Sequence, residues 1–177
     1  VQQGLRMIVN NTYIIALSLK TEIQNVLNET EWKSRYNIYL AGDESLRNKE
    51  LVHASNFKDP ARQIALPLVV INFNGIRHED LELGNSQGLN IIDSEVLVYS
   101  FDANSASHIA SVIQNFLRQE AFDIKNYTVP HNPIIASAII SREPDIQDLS
   151  NPEATNLANR YVLSLLFEIE ITGQQLI

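Results

Sequence analysis

Residues 161–172 read YVLSLLFEIEIT, and their alternation decides the fold class. Side chains of a β-strand point to opposite faces of a sheet with a period of two. One face of this segment is wholly apolar and consists of Leu163, Leu165, Phe167, Ile169 and Ile171. The other face passes from Val162, Ser164 and Leu166 to Glu168, Glu170 and Thr172. The pattern predicts a strand that buries one face in a core and turns acidic toward the end of the other.

Two helices and several further strands are predicted around this strand. Apolar residues recur at helical spacing between Leu5 and Leu27, which indicates a long amphipathic helix. Asp102 and Asn104 are both suitable N-caps for a second helix that ends near Leu117. Strands are predicted at residues 36–40, 68–73, 91–101 and 134–141. We therefore predict an α+β fold, a single domain of residues 1–177 with two helices packed on one face of a mostly antiparallel sheet.

Two segments interrupt this regular pattern. Residues 32–60 are polar and irregular, and they form either an arm or a long loop laid over the body of the protein. Asn74 and Gly75 are a strong short-turn signal directly after the buried strand at 68–73. Residues 76–90 are accordingly predicted to be an exposed hairpin loop.

The composition limits the kinds of partner. The chain has 177 residues, a formal net charge of −8, and no cysteine, so disulfides and thiolate chemistry are excluded. Tight binding of nucleic-acid phosphates depends on clustered Lys and Arg, which this acidic composition does not favour. No apolar run approaches the roughly 20 residues that span a bilayer. We expect no membrane partner, and an intracellular site of synthesis is the default expectation.

Residue types that could carry catalysis or metal binding are present but poorly spaced. Ser107 and His108 are adjacent on a predicted helix, so they point about 100° apart and cannot form a nucleophile–base pair. We interpret them, with Asp102, as capping residues and a solvated helical face. The four histidines are scattered without metal-ligand spacing. The carboxylates of Glu168 and Glu170 lie roughly 7 Å apart on one strand face, which is typical of a solvated strand. We therefore expect no catalytic site, no cofactor and no metal, and the protein is not predicted to be an enzyme.

The order of elements resembles the tail terminator family of long-tailed bacteriophages, also called tail completion or neck proteins. The likeness rests on the N-terminal helix, the strand at 68–73, the polar hairpin at 76–90 and the strand at 96–101 that runs straight into the helix at 106–117. The passage at 124–133 and the closing strand at 161–172 complete it. This cadence extends over most of the chain and includes no diagnostic motif.

The resemblance implies a structural virion protein of the neck, assembled in the host cytoplasm. Such subunits form a ring, expected to be a hexamer, on the tail tube protein and offer a surface to the head–tail connector protein. DNA would pass through the ring without specific binding, and an acidic lumen would suit that passage. Glu168 and Glu170 are the candidate lumen residues. The candidate residues for contact with the tube or connector are Arg77, His78, Glu79, Asp80 and Glu82.

Other classes of protein are compatible with the same pattern. Another head–tail connector or a tail-tube subunit would use similar sheets in rings. A small-molecule-binding α+β domain would have a deep apolar pocket and form a closed dimer. An unrecognised hydrolase would cluster polar residues with shifted pKa values in a cleft.

Overall fold

The structure is a computed structural model that describes residues 2–80, 88–119, 121–156 and 160–172. Helix α1 comprises Gln2–Asn28, and helix α2 comprises Ala103–Leu117. The strands are β1 Asn37–Leu40, β2 Glu50–Val52, β3 Gln63–Ala65, β4 Leu68–Asp80, β5 Gly88–Tyr99, β6 Ala121–Lys125, β7 Ile134–Ile140, β8 Asp145–Asp148 and β9 Val162–Thr172. Two helices and a mostly antiparallel sheet confirm the predicted α+β class.

One sheet contains seven of the strands. Its order is β1-β4-β5-β9-β7-β6, and β8 also pairs with β9. The β1–β4 pair is parallel, whereas the other pairs in this sheet are antiparallel. Strands β7 and β8 follow one another along the same edge of β9, with Ile140 opposite Ile169 and Asp145 opposite Leu166. Strand β9 therefore lies in the middle of the sheet, which explains its strong alternation.

The two helices pack together on one face of this sheet, here called the inner face. In α1, Ile15, Leu19, Ile23 and Leu27 recur every four residues and are at most 1% exposed. In α2, the buried residues include Ile109, Ile113, Phe116 and Leu117. Both sets belong to one core cluster with Leu165, Phe167 and Ile169 of β9. The prediction of two helices on one sheet face is confirmed.

Helix α1 also closes the free edge of the sheet at β6. The buried Ser18 hydroxyl accepts a hydrogen bond from the backbone N–H of Lys125 at 3.0 Å. An open edge strand presents unpaired backbone groups, and a covering helix is one way to protect it.

The N-cap of α2 is Asp102, whose carboxylate accepts from the Ser105 backbone N–H at 2.7 Å. The helix begins at Ala103, so Asp102 and not Asn104 is the cap.

The two faces of β9 differ as predicted. Leu165, Phe167, Ile169 and Ile171 are at most 2% exposed, and Leu163 packs against the same cluster. On the outer face, Val162 and Ser164 are buried, whereas Leu166, Glu168 and Glu170 are half-buried. The apolar start of that face is thus buried within this chain, and only its acidic end is partly open.

Residues between β1 and β4 cover part of the outer face. Strands β2 and β3 pair in parallel, and we call residues 41–67 the ribbon. Ile64 and Leu66 of the ribbon pack with Leu68 and Val70 of β4 in a second core cluster, against which Leu97 and Tyr99 of β5 also pack. The ribbon therefore lies on the sheet instead of standing away from it.

The prediction that residues 76–90 form an exposed loop is wrong in its extent. Strand β4 continues through Asn74 and Gly75 to Asp80, and a register shift between Phe73 and Gly75 marks a β-bulge. Gly75 does not adopt the positive φ that a two-residue type I′ turn requires. Residues 76–80 pair with 88–92, because the long-range ladder outweighs the local turn signal. Residues 81–87 lie outside the described residues.

Candidate functional site

The part of the outer sheet face that the ribbon leaves open is acidic. Partners in an antiparallel ladder point to the same side. Asp93 lies opposite Glu168, and Glu95 lies opposite Leu166. Glu170 lies opposite Ile91 on the same side. We call this surface, formed by Asp93, Glu95, Leu166, Glu168 and Glu170, the acidic face.

Arg77 of β4 reaches across two strands to this face. Its Nη2 atom lies 3.3 Å from Oδ1 of Asp93 and 3.2 Å from Oε1 of Glu168. The three side chains are 49%, 44% and 27% exposed, so each ion pair contributes about 0–1 kcal/mol. One guanidinium is shared between two of the four carboxylates of the acidic face, so the face keeps a negative balance.

A second polar contact fixes the border between the acidic face and the ribbon. The Ser164 hydroxyl donates to Oε1 of Glu95 at 2.6 Å, and Ser164 is 1% exposed. Tyr99 lies four residues beyond Glu95 on the same face of β5. Burial raises the pKa of the Tyr99 phenol, and the charge of Glu95 adds to the shift. The surface thus passes from an apolar zone at Tyr99 to a carboxylate zone that begins at Glu95.

The predicted site residues are placed in two groups. Arg77 and Glu168, which are 91 residues apart in the sequence, are brought into contact. Glu170 lies on the same sheet face, two residues beyond Glu168. The backbones of His78, Glu79 and Asp80 pair with those of Asn90, Leu89 and Gly88 in the β4–β5 ladder. Glu82 lies outside the described residues.

Asp93 and Glu95 were missed as candidates. Residues 91–101 are predicted to form a strand, with Leu97 and Tyr99 on one face and Val96 and Val98 on the other. Extending that alternation back by two positions places both acids on the face of Leu97. Strand period alone could therefore have found them, but their proximity to β9 required the β5–β9 pairing.

A second feature lies between α2 and the α1–β1 connection. The cleft has a volume of about 420 Å³, and its lining residues are Glu31, Trp32, Arg35, Phe101, Asn104, Ser105 and His108. We call it the Trp32 cleft. The indole Nε1 of Trp32 donates to Nδ1 of His108 at 3.1 Å. Asp102 and Ser107 fit the predicted capping and solvated roles, but His108 differs because it contacts the connection 76 residues earlier.

A neighbouring cleft of about 370 Å³ shares part of this lining. Trp32, Arg35 and Phe101 border both spaces. His53 of the ribbon stacks at a tilt on Phe101, with ring centroids 4.7 Å apart. The two clefts thus form one aromatic groove between the ribbon, the α1–β1 connection and the start of α2.

No protein-family model matches this chain, and a comparison with curated proteins finds no match. Across the described ranges, neither helix combines the length and the apolarity that a membrane crossing needs. Among the same residues, no group of three or more His, Asp or Glu side chains is arranged to hold a metal ion.

Proposed function

We propose that this protein is a structural subunit of a bacteriophage neck that forms a ring, caps the tail tube and joins it to the head-side connector. The proposal combines the family resemblance of the sequence with one observation, the acidic face on the uncovered side of the sheet. The helices cover the inner face, so the outer face of β5 and β9 is the one available to line a channel. Genome DNA would pass through that channel.

The charge of the acidic face supports a lumen that does not retain DNA. Among the side chains that the structure describes, Arg77 is the cation that contacts this group of four carboxylates, Asp93, Glu95, Glu168 and Glu170. Proteins that hold DNA neutralise phosphates with Lys and Arg and release counterions. A carboxylate surface repels phosphates and lowers the residence time of DNA. The overall charge of −8 has the same sign.

The border of the acidic face supports a contact between subunits. Ile139 of β7 lies opposite Glu170 and is 50% exposed, and Ile135 is 36% exposed on the same side of β7. Large apolar side chains at the rim of a polar surface are typical of protein contacts. We assign this part of β7 to the neighbouring subunit, and the β4–β5 end at residues 76–80 to the tail tube or the connector.

Another head–tail connector or tail-tube subunit is the nearest alternative, because both also assemble sheets into rings. A small-molecule-binding domain is a second alternative, and the aromatic groove at Trp32 and Phe101 is the observation that favours it. That alternative predicts saturable binding in the groove and a closed dimer. The neck proposal includes no enzymatic activity, cofactor or metal.

Native mass spectrometry and a cryo-electron microscopy structure of the purified protein test the assembly. We expect a six-fold ring with Glu168 and Glu170 facing a central channel. A closed dimer, or a ring with both glutamates far from the channel, contradicts the proposal. If the purified protein is a monomer, the same measurement is repeated with purified tail tubes added, and rings must then form on the tube end.

A charge-reversal experiment tests the lumen. The double variant Glu168→Lys with Glu170→Lys is compared with the control Glu44→Lys with Glu153→Lys, which makes the same charge change at exposed sites elsewhere. We expect wild-type rings and control rings not to retain duplex DNA at low salt in a mobility-shift assay, whereas the lumen variant does. Equal DNA retention by the two variants would show that net charge, and not the acidic face, matters.

A further inference from the structure

Two side chains of the α1–β1 connection meet at one nitrogen of His108. Nδ1 of His108 lies 3.1 Å from the Trp32 indole Nε1 and 3.0 Å from Oε1 of Glu31. Trp32 and Glu31 are adjacent in the sequence, and His108 belongs to α2. The imidazole is therefore the polar link between the connection and the second helix.

These two contacts require opposite states of the same nitrogen. An indole N–H is only a donor, so Nδ1 must offer a lone pair to Trp32. A carboxylate is only an acceptor, so Nδ1 must carry a proton to bond Glu31. The neutral tautomer protonated at Nε2 accepts from Trp32, whereas any form that carries a proton on Nδ1 donates to Glu31. The imidazolium always carries that proton, so protonation of the ring removes the acceptor for Trp32 and favours Glu31. Both partners lie within hydrogen-bond distance of Nδ1, but only one of the two hydrogen bonds can form at a time.

The surroundings allow a proton to reach the ring while keeping the indole protected. Trp32 is 9% exposed and belongs to the main core cluster. The side chains of His108 and Glu31 are 46% and 66% exposed. The charged groups that line the cleft around the ring are Glu31 and Arg35. The nearby Asp102 carboxylate accepts from both the backbone N–H and the hydroxyl of Ser105.

We propose that His108 is a proton-operated latch between α2 and the α1–β1 connection. Above the transition the neutral ring holds the Trp32 indole N–H. Below it the imidazolium turns to Glu31, and the indole loses its acceptor. Histidine side chains in general change charge between pH 5 and 8, which sets the pH range to be scanned.

The exchange has a structural consequence for the aromatic groove. Trp32 and Phe101 border both clefts, and His53, whose ring contacts that of Phe101, lines the neighbouring cleft. Release of the indole loosens the wall of the groove where the connection leads into β1. The latch is independent of the proposed neck function, because it involves neither the acidic face nor the ring.

The chain contains one tryptophan, so intrinsic fluorescence reports this site directly. We expect the wild-type emission to fall in intensity in a single transition between pH 8 and 5, because an imidazolium beside an indole quenches it. His108→Gln, which keeps an acceptor but cannot titrate, should lose the transition. His53→Gln, a histidine of the neighbouring cleft, is the matched control and should retain it. Glu31→Gln should move the transition to lower pH, since the imidazolium loses the negative charge of the carboxylate beside it.

Nuclear magnetic resonance on the wild-type protein gives an independent reading that needs no variant. The single indole N–H cross-peak should shift upfield in proton on acidification, and its exchange with solvent should accelerate. A flat wild-type fluorescence profile, a transition retained in a folded His108→Gln variant, or an indole peak that does not move would each overturn the latch.

Discussion

Neighbouring leucines on β9 provide a direct test of which face of the sheet forms the core. Leu165 is 0% exposed on the inner face and packs in the main core cluster. Leu166 is half-buried on the acidic face, opposite Glu95 and Asp145. The substitutions Leu165→Ala and Leu166→Ala remove the same atoms from the same strand, so differences in strand propensity cancel.

The two substitutions should differ by about 2 kcal/mol in the free energy of unfolding. Truncating a fully buried leucine costs about 2–5 kcal/mol, because the lost transfer energy adds to the energy of the cavity. We take about 3 kcal/mol for Leu165→Ala. Leu166 keeps part of its surface in water and leaves no closed cavity, so about 1 kcal/mol is expected. A domain of this size loses about 2–4 °C in melting temperature per kcal/mol. The melting temperature should therefore fall by about 6–12 °C for Leu165→Ala and by about 2–4 °C for Leu166→Ala.

Urea unfolding followed by far-ultraviolet circular dichroism measures both values. The midpoint should fall much further for Leu165→Ala, with an unchanged slope in each variant. Equal destabilisation, or a larger effect of Leu166→Ala, would refute the assignment of the inner face to the core. It would also remove the structural basis for an open acidic face.

Three further substitutions test the helix cap, the ribbon and stability at alkaline pH. Asp102→Ala should lower the free energy of unfolding in urea by about 1 kcal/mol because it removes the N-cap of α2, whereas Asp102→Asn should keep most of that stability. An equal loss in the two variants would contradict the capping role. Leu66 of the ribbon is 1% exposed and packs against β4. Leu66→Ala should therefore make tryptic cleavage within residues 47–62 the first cut, and an unchanged cleavage order would contradict the packing. Burial raises the pKa of Tyr99, so the folded state binds that proton more tightly than the unfolded state. The contribution of Tyr99 to the free energy of unfolding is present below about pH 10 and is lost as the pH rises through the folded pKa. Tyr99→Phe should therefore lose less stability than wild type between about pH 9 and 11. Parallel plots of unfolding free energy against pH for the two proteins would contradict this expectation.

Local patterns in the sequence were sufficient for the elements that bury one face. Helical spacing identified α1 and α2, and a period of two identified β9, because burial of one face imposes those periods on any sequence. Residue type indicated Asp102 and Asn104 as N-caps of α2, and the structure selects Asp102. Strand β8 gave no such signal, since the four residues of Asp145–Asp148 are all exposed. Its strand conformation comes from pairing with β9.

Contacts between distant residues decided the site. The turn signal at Asn74 and Gly75 became a bulge because pairing with β5 extends β4 to Asp80. Arg77 meets Glu168 across 91 residues, and Trp32 meets His108 across 76. Neither pairing has a local pattern, because the spacing along the chain between two side chains that meet is set by strand order and helix packing.

The α+β class, the two helices and the buried face of β9 can be predicted from the amino-acid sequence, since each follows from the period at which apolar residues recur. That the ribbon covers one part of the outer face and leaves the carboxylates of the other part open is visible only in the folded chain. The same holds for the His108 nitrogen with two competing partners. Periodicity specifies which side of an element is buried, whereas the identity of its neighbour depends on which elements fold against each other.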